Sequence, residues 1–263
     1  MKIPSKNLVE KLFWVGTFGL AMGFLEAIVV VYLRDIYYPA GFGFPMSPVS
    51  SQMYFVELVR EIATILMLLA LGFLIGKNGI QKLAYFLISF AAWDIVYYIA
   101  LKLFLGWPLS LLTWDVLFLI PLPWLGPVLA PVIVSLTMFW IGASLIILEE
   151  ANGPVSIRTE ERRFLLFGAV FIFISFIWNY FALIVKSGYL LKISTLPRNQ
   201  DFLKVVYAYI PEKFNWAMFC AGEIIVFFGL IKLLIRYRQA IQITGKEFLS
   251  QIHDIQRHIF HSH

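Results

Sequence analysis

An all-α, polytopic integral membrane bundle of about six transmembrane helices is the fold class this sequence predicts, and three observations predict it. The 263 residues are 60% hydrophobic and 17% aromatic but only 14% charged, more apolar than the core of a soluble domain requires. Six windows, near 12–33, 56–76, 80–102, 125–148, 164–185 and 215–235, approach the roughly 20 apolar residues that cross a hydrocarbon layer. Lys and Arg fall mainly between and beyond these windows, which reads as a topology signal; no basic block or motif points to nucleic acid.

Taken in order, the first window follows Lys2, Lys6 and Lys11. At 22 residues it exceeds the roughly 7 to 15 of a cleaved signal core, so it is read as a retained helix. The loop at 34–55 carries Tyr37-Tyr38-Pro39 and Gly41-Phe42-Gly43-Phe44-Pro45. Its aromatics fit headgroup-level anchors, favoured here over a ligand-capping lid. Spans two and three flank a basic turn at 77–79. The segment 103–124 is broken by Gly106, Trp107 and Pro108 and carries Asp115; its uninterrupted part is too short to span and suits a re-entrant or interfacial stretch. Spans four and five flank a basic loop at 149–163. The 186–214 loop, with Lys186, Lys192, Arg198, Lys204 and Lys213, is basic on the side whose other loops hold almost no Lys or Arg.

Residues 1–235 are thus expected to form the membrane domain and 236–263 a cytoplasmic amphipathic tail. There Phe248, Ile252, Ile255 and Ile259 recur at helical spacing, as on a helix that lies on a membrane surface or against a partner subunit or second copy of the chain. The positive-inside rule puts both termini in the cytoplasm of a cell-membrane protein. The four histidines, His253, His258, His261 and His263, all lie in this tail and are read as surface residues. Cys220, the one cysteine, is read as a small buried apolar residue.

Several ionisable residues nevertheless fall inside the apolar windows, where each costs a few kcal/mol. Glu26, Glu61, Asp94 and Glu223 lie at similar offsets from span ends. Because successive spans alternate direction, those offsets place all four roughly 9 to 12 Å below one and the same boundary. In span one Glu26 lies beside Gly19, Gly23 and Ala27, a small-residue face that permits close helix approach. In span two Glu57, Arg60, Glu61 and Thr64 share one face, so Arg60 can pair with Glu57 while Glu57 and Glu61 repel unless compensated. Tyr97 and Tyr98 are candidate donors to Asp94. Asn179 and Tyr180 reach a similar depth in span five, and Asp115 must fold near the same boundary.

No histidine lies in any span, which excludes bis-histidine haem, H-E-x-x-H zinc chemistry and a Ser-His or Cys-His nucleophile there. No Walker A loop or G-x-G-x-x-G fingerprint occurs. Spans one and six carry loosely similar stretches around Glu26 and Glu223, a weak hint of an inverted repeat. The ligand-binding or proton-binding candidates are Glu26, Glu57, Arg60, Glu61, Asp94, Asp115, Asn179 and Glu223. The leading expectation is a carrier or binding protein for protons or a cationic small ligand, with Arg60 as internal counter-ion. The sequence assigns no cofactor, and a hard divalent cation at the carboxylate cluster is the candidate that carboxylate ligands suit. The alternatives are an intramembrane enzyme acting on a lipid or isoprenoid, and a non-catalytic subunit of a larger complex. Packing ties between helices would also account for such residues.

Overall fold

A computed structural model describes residues 6–190 and 199–260, and the side chains of Lys6, Gln200 and residues 239–260 are outside what it describes. The apolar face and histidines of the tail therefore lie outside the described residues. Among the described residues six helices are long and apolar enough to cross a membrane: α1 (Lys6–Tyr37), α2 (Ser51–Ile75), α3 (Gly79–Leu105), α4 (Leu129–Asn152), α5 (Thr159–Lys186) and α7 (Trp216–Phe260), the last continuing beyond its span without a break. A short helix, α6 (Gln200–Tyr207), lies in the loop before α7. The protein is a multi-pass membrane protein, with large apolar side chains such as Leu74, Phe13 and Ile224 exposed on its outer faces, as lipid contact requires.

Helix ends follow local chemistry. Ser50 caps α2 by accepting the Met53 N–H at 3.2 Å, and Asn78 caps α3 by accepting the Gln81 N–H at 2.9 Å, each satisfying a backbone donor that a helix start leaves free. Gly106 ends α3 in the left-handed conformation, φ +65°, where a side chain would be strained. α1 outruns the expected first span because its first breaker is Pro39, so Arg34 and Asp35 remain helical.

The central helix is α3, against which α1, α2 and α4 all pack, while α5 and α7 form a second closely packed pair that α4 joins to the first group. The small-residue face of α1 makes the first contact possible: a Cβ at Gly23 would sit 2.7 Å from the Trp93 carbonyl oxygen, and one at Gly19 2.7 Å from Ala92 Cβ. Gly168 and Gly222 do the same between α5 and α7, each facing the other's carbonyl. Close backbone approach substitutes here for the hydrophobic drive that lipid does not supply.

Between α3 and α4 the chain does not span. It forms a two-stranded antiparallel hairpin of β1 (Trp114–Phe118) and β2 (Trp124–Pro127), with Asp115 opposite Gly126 and a register irregularity between Val116 and Phe118. This is a small β element within an otherwise helical protein: Gly106 and Pro108 on one side and Pro121 and Pro123 on the other break the segment from its neighbours and leave it too short to span as a helix. The hairpin tip reaches among the helices, where the Leu119 N–H meets the Glu61 carboxylate. Glu61 is ten residues into α2, about 15 Å along its axis. Non-helical backbone at such depth is tolerated when protein surrounds it.

Candidate functional site

Between α1, α2, α3, the hairpin and the loop at 38–50 lies a cavity of about 640 Å³, within the size range of small-molecule sites. Six of the eight residues singled out from the sequence line it: Glu26, Glu57, Arg60, Glu61, Asp94 and Asp115. With Arg34 they make five carboxylates facing two guanidinium groups. The remaining wall is largely apolar and aromatic, including Trp93, Phe118 and Tyr180.

Three groups of contacts organise these charges. Arg60 forms ion pairs with Glu57, Nε to Oε2 2.8 Å, and with Glu26 across the gap between α2 and α1. Thr64 donates its hydroxyl to Glu26 at 3.1 Å. Nearer the mouth, Arg34 pairs with Asp115 at 3.4 Å and stacks on Trp107 and Phe42, with its guanidinium carbon 3.7 and 4.4 Å from the ring centroids. Tyr98 donates to Asp115 at 3.2 Å, and the Val116 N–H at 2.9 Å. Burial pushes the Asp115 carboxyl above its ordinary range despite the opposing pull of Arg34, the expected balance for an acid withdrawn from water beside one cation.

Glu61 and Asp94 differ from the other three acids. Among the described residues neither has an ion-pair partner. Glu61 accepts only the Leu119 N–H, at 2.9 and 3.1 Å from its two oxygens. Asp94 accepts the Ser135 hydroxyl at 2.8 Å. Both residues are buried, at 6% exposure. The expected tyrosine donors to Asp94 are placed otherwise: Tyr98 turns to Asp115, and α4 supplies Ser135 instead, because the i+4 side chain on α3 points toward the hairpin.

Two of the selected residues are not in the cavity. Glu223 is buried against α4, where the Thr137 hydroxyl donates to it at 2.8 Å. Asn179 lines a smaller pocket at the end of α5 and bonds to the Lys213 carbonyl and the Tyr209 hydroxyl, both at 3.3 Å. Span parity fixes depth but not the direction a side chain takes around its helix, so a shared layer did not imply a shared site. Counted from the helix ends, Glu26 is eleven residues from the end of α1 and Asp94 eleven from the end of α3, about 16 Å, whereas Glu223 is seven residues into α7.

Sequence reading passed over Arg34, which it left in a loop, and the buried hydroxyls Ser135 and Thr137, whose only signal is that they sit at the depth of acids on other helices. It also missed Glu149 and Glu161, buried at the opposite end. Glu149 accepts from Asn78 and the Val155 N–H; Glu161 pairs with Arg236 at 2.7 Å. They close the loops at that end around polar ties, whereas the cavity lies toward the hairpin end.

Among the described residues no three acid, histidine or cysteine side chains converge to hold a metal ion. The arginines interpose between the acids, so the carboxylate layer does not form the oxygen cage that a hard divalent cation needs. Fold and site together define a multi-pass membrane protein with a buried, acid-rich cavity. Comparison with protein families, curated proteins and solved structures finds no match to this chain.

Proposed function

We propose that the protein binds, and carries across the cell membrane, a monovalent cationic ligand or protons, with Glu61 and Asp94 as the charge-accepting groups. One observation carries this reading: five carboxylates but two guanidinium groups line the cavity, and among the described residues Glu61 and Asp94 are the two acids in no direct ion pair, while Glu26 and Glu57 share Arg60 and Asp115 pairs with Arg34. A buried carboxylate without a counter-charge is costly and takes up a proton or a cation. Arg60 holds α1 and α2 at a fixed spacing beneath the site. With both termini cytoplasmic, the cavity mouth faces the other side of the membrane.

Equilibrium binding of butylammonium to the purified protein in nanodiscs tests the assignment. Glu61→Gln and Asp94→Asn are each expected to weaken binding by about tenfold or more, the scale of one lost charge interaction, and Glu223→Gln to leave it unchanged. Binding that is absent, or equally insensitive to all three substitutions, would overturn the reading.

A further inference from the structure

The shape of the cavity specifies more than the charge of its ligand. α1 and α2 each pack along α3 yet scarcely touch one another; Arg60 and Thr64 bridge them to Glu26 at one level. From that level toward the hairpin end the space between them is the cavity itself, walled by Val30 and Leu33 of α1 and by Leu58 and Phe55 of α2. Phe55 lines the cavity and is also 64% exposed, so the void opens to the surface beside the first turns of α2. The acids at the Arg60 level are thus separated from this opening by an apolar strip of Val30, Leu33, Leu58 and Phe55 on the α1–α2 side, while the Arg34–Asp115 pair lies across the cavity on the hairpin side.

We infer that the ligand is a single-chain amphiphilic amine, whose ammonium group sits at Glu61 and Asp94 and whose alkyl chain passes between α1 and α2 toward the lipid. The inference rests on the cation-binding reading and adds the chain and its path. A compact, fully hydrated cation would leave the apolar wall of Val30, Leu33, Leu58 and Phe55 unused, whereas an alkyl chain covers it at a gain that grows with each buried methylene. Membrane ligands can reach such a site sideways from the bilayer, which matches the orientation of the gap.

Photolabelling in phosphatidylcholine vesicles tests it, with a dodecylamine that carries a diazirine near the middle of its chain, at the level of the apolar strip. Adducts are expected on Val30, Leu33, Phe55 or Leu58, reduced at least about tenfold by Glu61→Gln with Asp94→Asn and competed by excess butylamine. A second variant, Val30→Trp, fills the gap above the acids; it should abolish these adducts while butylamine binding persists. Adducts concentrated on Met46, Leu203 or Val206 at the mouth would overturn the lateral path and keep the cation site. Adducts spread over lipid-facing residues such as Phe13 and Phe227, with butylamine still bound through Glu61, would likewise overturn it. Loss of Glu61-dependent binding for both amines would remove the cation reading and this inference together.

Discussion

Removing the Arg60 guanidinium leaves Glu26 and Glu57 on adjacent helices without their shared counter-charge. Breaking a buried pair from one side costs about 3–5 kcal/mol because the remaining charge stays desolvated. Arg60→Leu is therefore expected to lower the melting temperature in detergent strongly, and adding Glu26→Gln and Glu57→Gln should recover much of the loss. If Arg60→Leu melts like the parent, the pairs do not hold α1 to α2. The Arg60–Glu57 pair was legible in sequence because i,i+3 neighbours share a helix face. The Arg60–Glu26 pair was not, since it depends on how two helices are rotated toward one another. Arg34 illustrates a different gap: a hydropathy window ends where charge begins, whereas the helix ends only at Pro39, and the cation is held by the rings of Trp107 and Phe42 that arrive from two loops.

At the scale of the element, the small-residue contacts decide which helices become neighbours. Gly168 and Gly222 face each other's carbonyls across α5 and α7, so Gly168→Leu must push the pair apart. A cost of about 1–3 kcal/mol is expected for such overpacking. Gly16→Leu, on a face of α1 with nothing within 4 Å of the added carbon, should leave stability nearly unchanged. Equal melting of the two variants would contradict the packing described. The Gly19, Gly23 and Ala27 face was readable from its four-residue repeat, and it does seat α1 on α3. The hairpin was readable only as a failure to span. Its strands are five and four residues long, too short for alternation to outweigh the general apolarity of the segment, and its pairing is visible only once Asp115 and Glu61 have found partners on other elements.

For the molecule as a whole, the six spans follow from length and hydropathy alone, because the bilayer sets the length and apolarity of any helix that crosses it. Which acids share one cavity does not follow, and Glu223 with Asn179 shows why: each satisfies its depth while turning to a local partner. Orientation is testable in a Cys220→Ser background. Cysteine at Gly43, in the loop beside the cavity mouth, should react with an impermeant maleimide on intact cells, and cysteine at Ser156 only after permeabilisation; the reverse pattern would invert the assigned topology. Two regions of polar contact also divide the molecule, with Glu149 tied to Asn78 and the Val155 N–H and Glu161 to Arg236 and the Arg158 N–H at one end, and Glu61 and Asp94 lining the cavity toward the other. An access path confined to the hairpin half is the arrangement a binding protein needs to take ligand from one side.

An experimental structure with a bromine-labelled short alkylamine tests the central claim most directly. An anomalous peak inside the cavity is expected, with the amine within hydrogen-bonding distance of Glu61 or Asp94 and the Arg60 pairs to Glu26 and Glu57 intact. Bromine found only on the outer surface, with Glu61 and Asp94 touching nothing but Leu119 and Ser135, would contradict it.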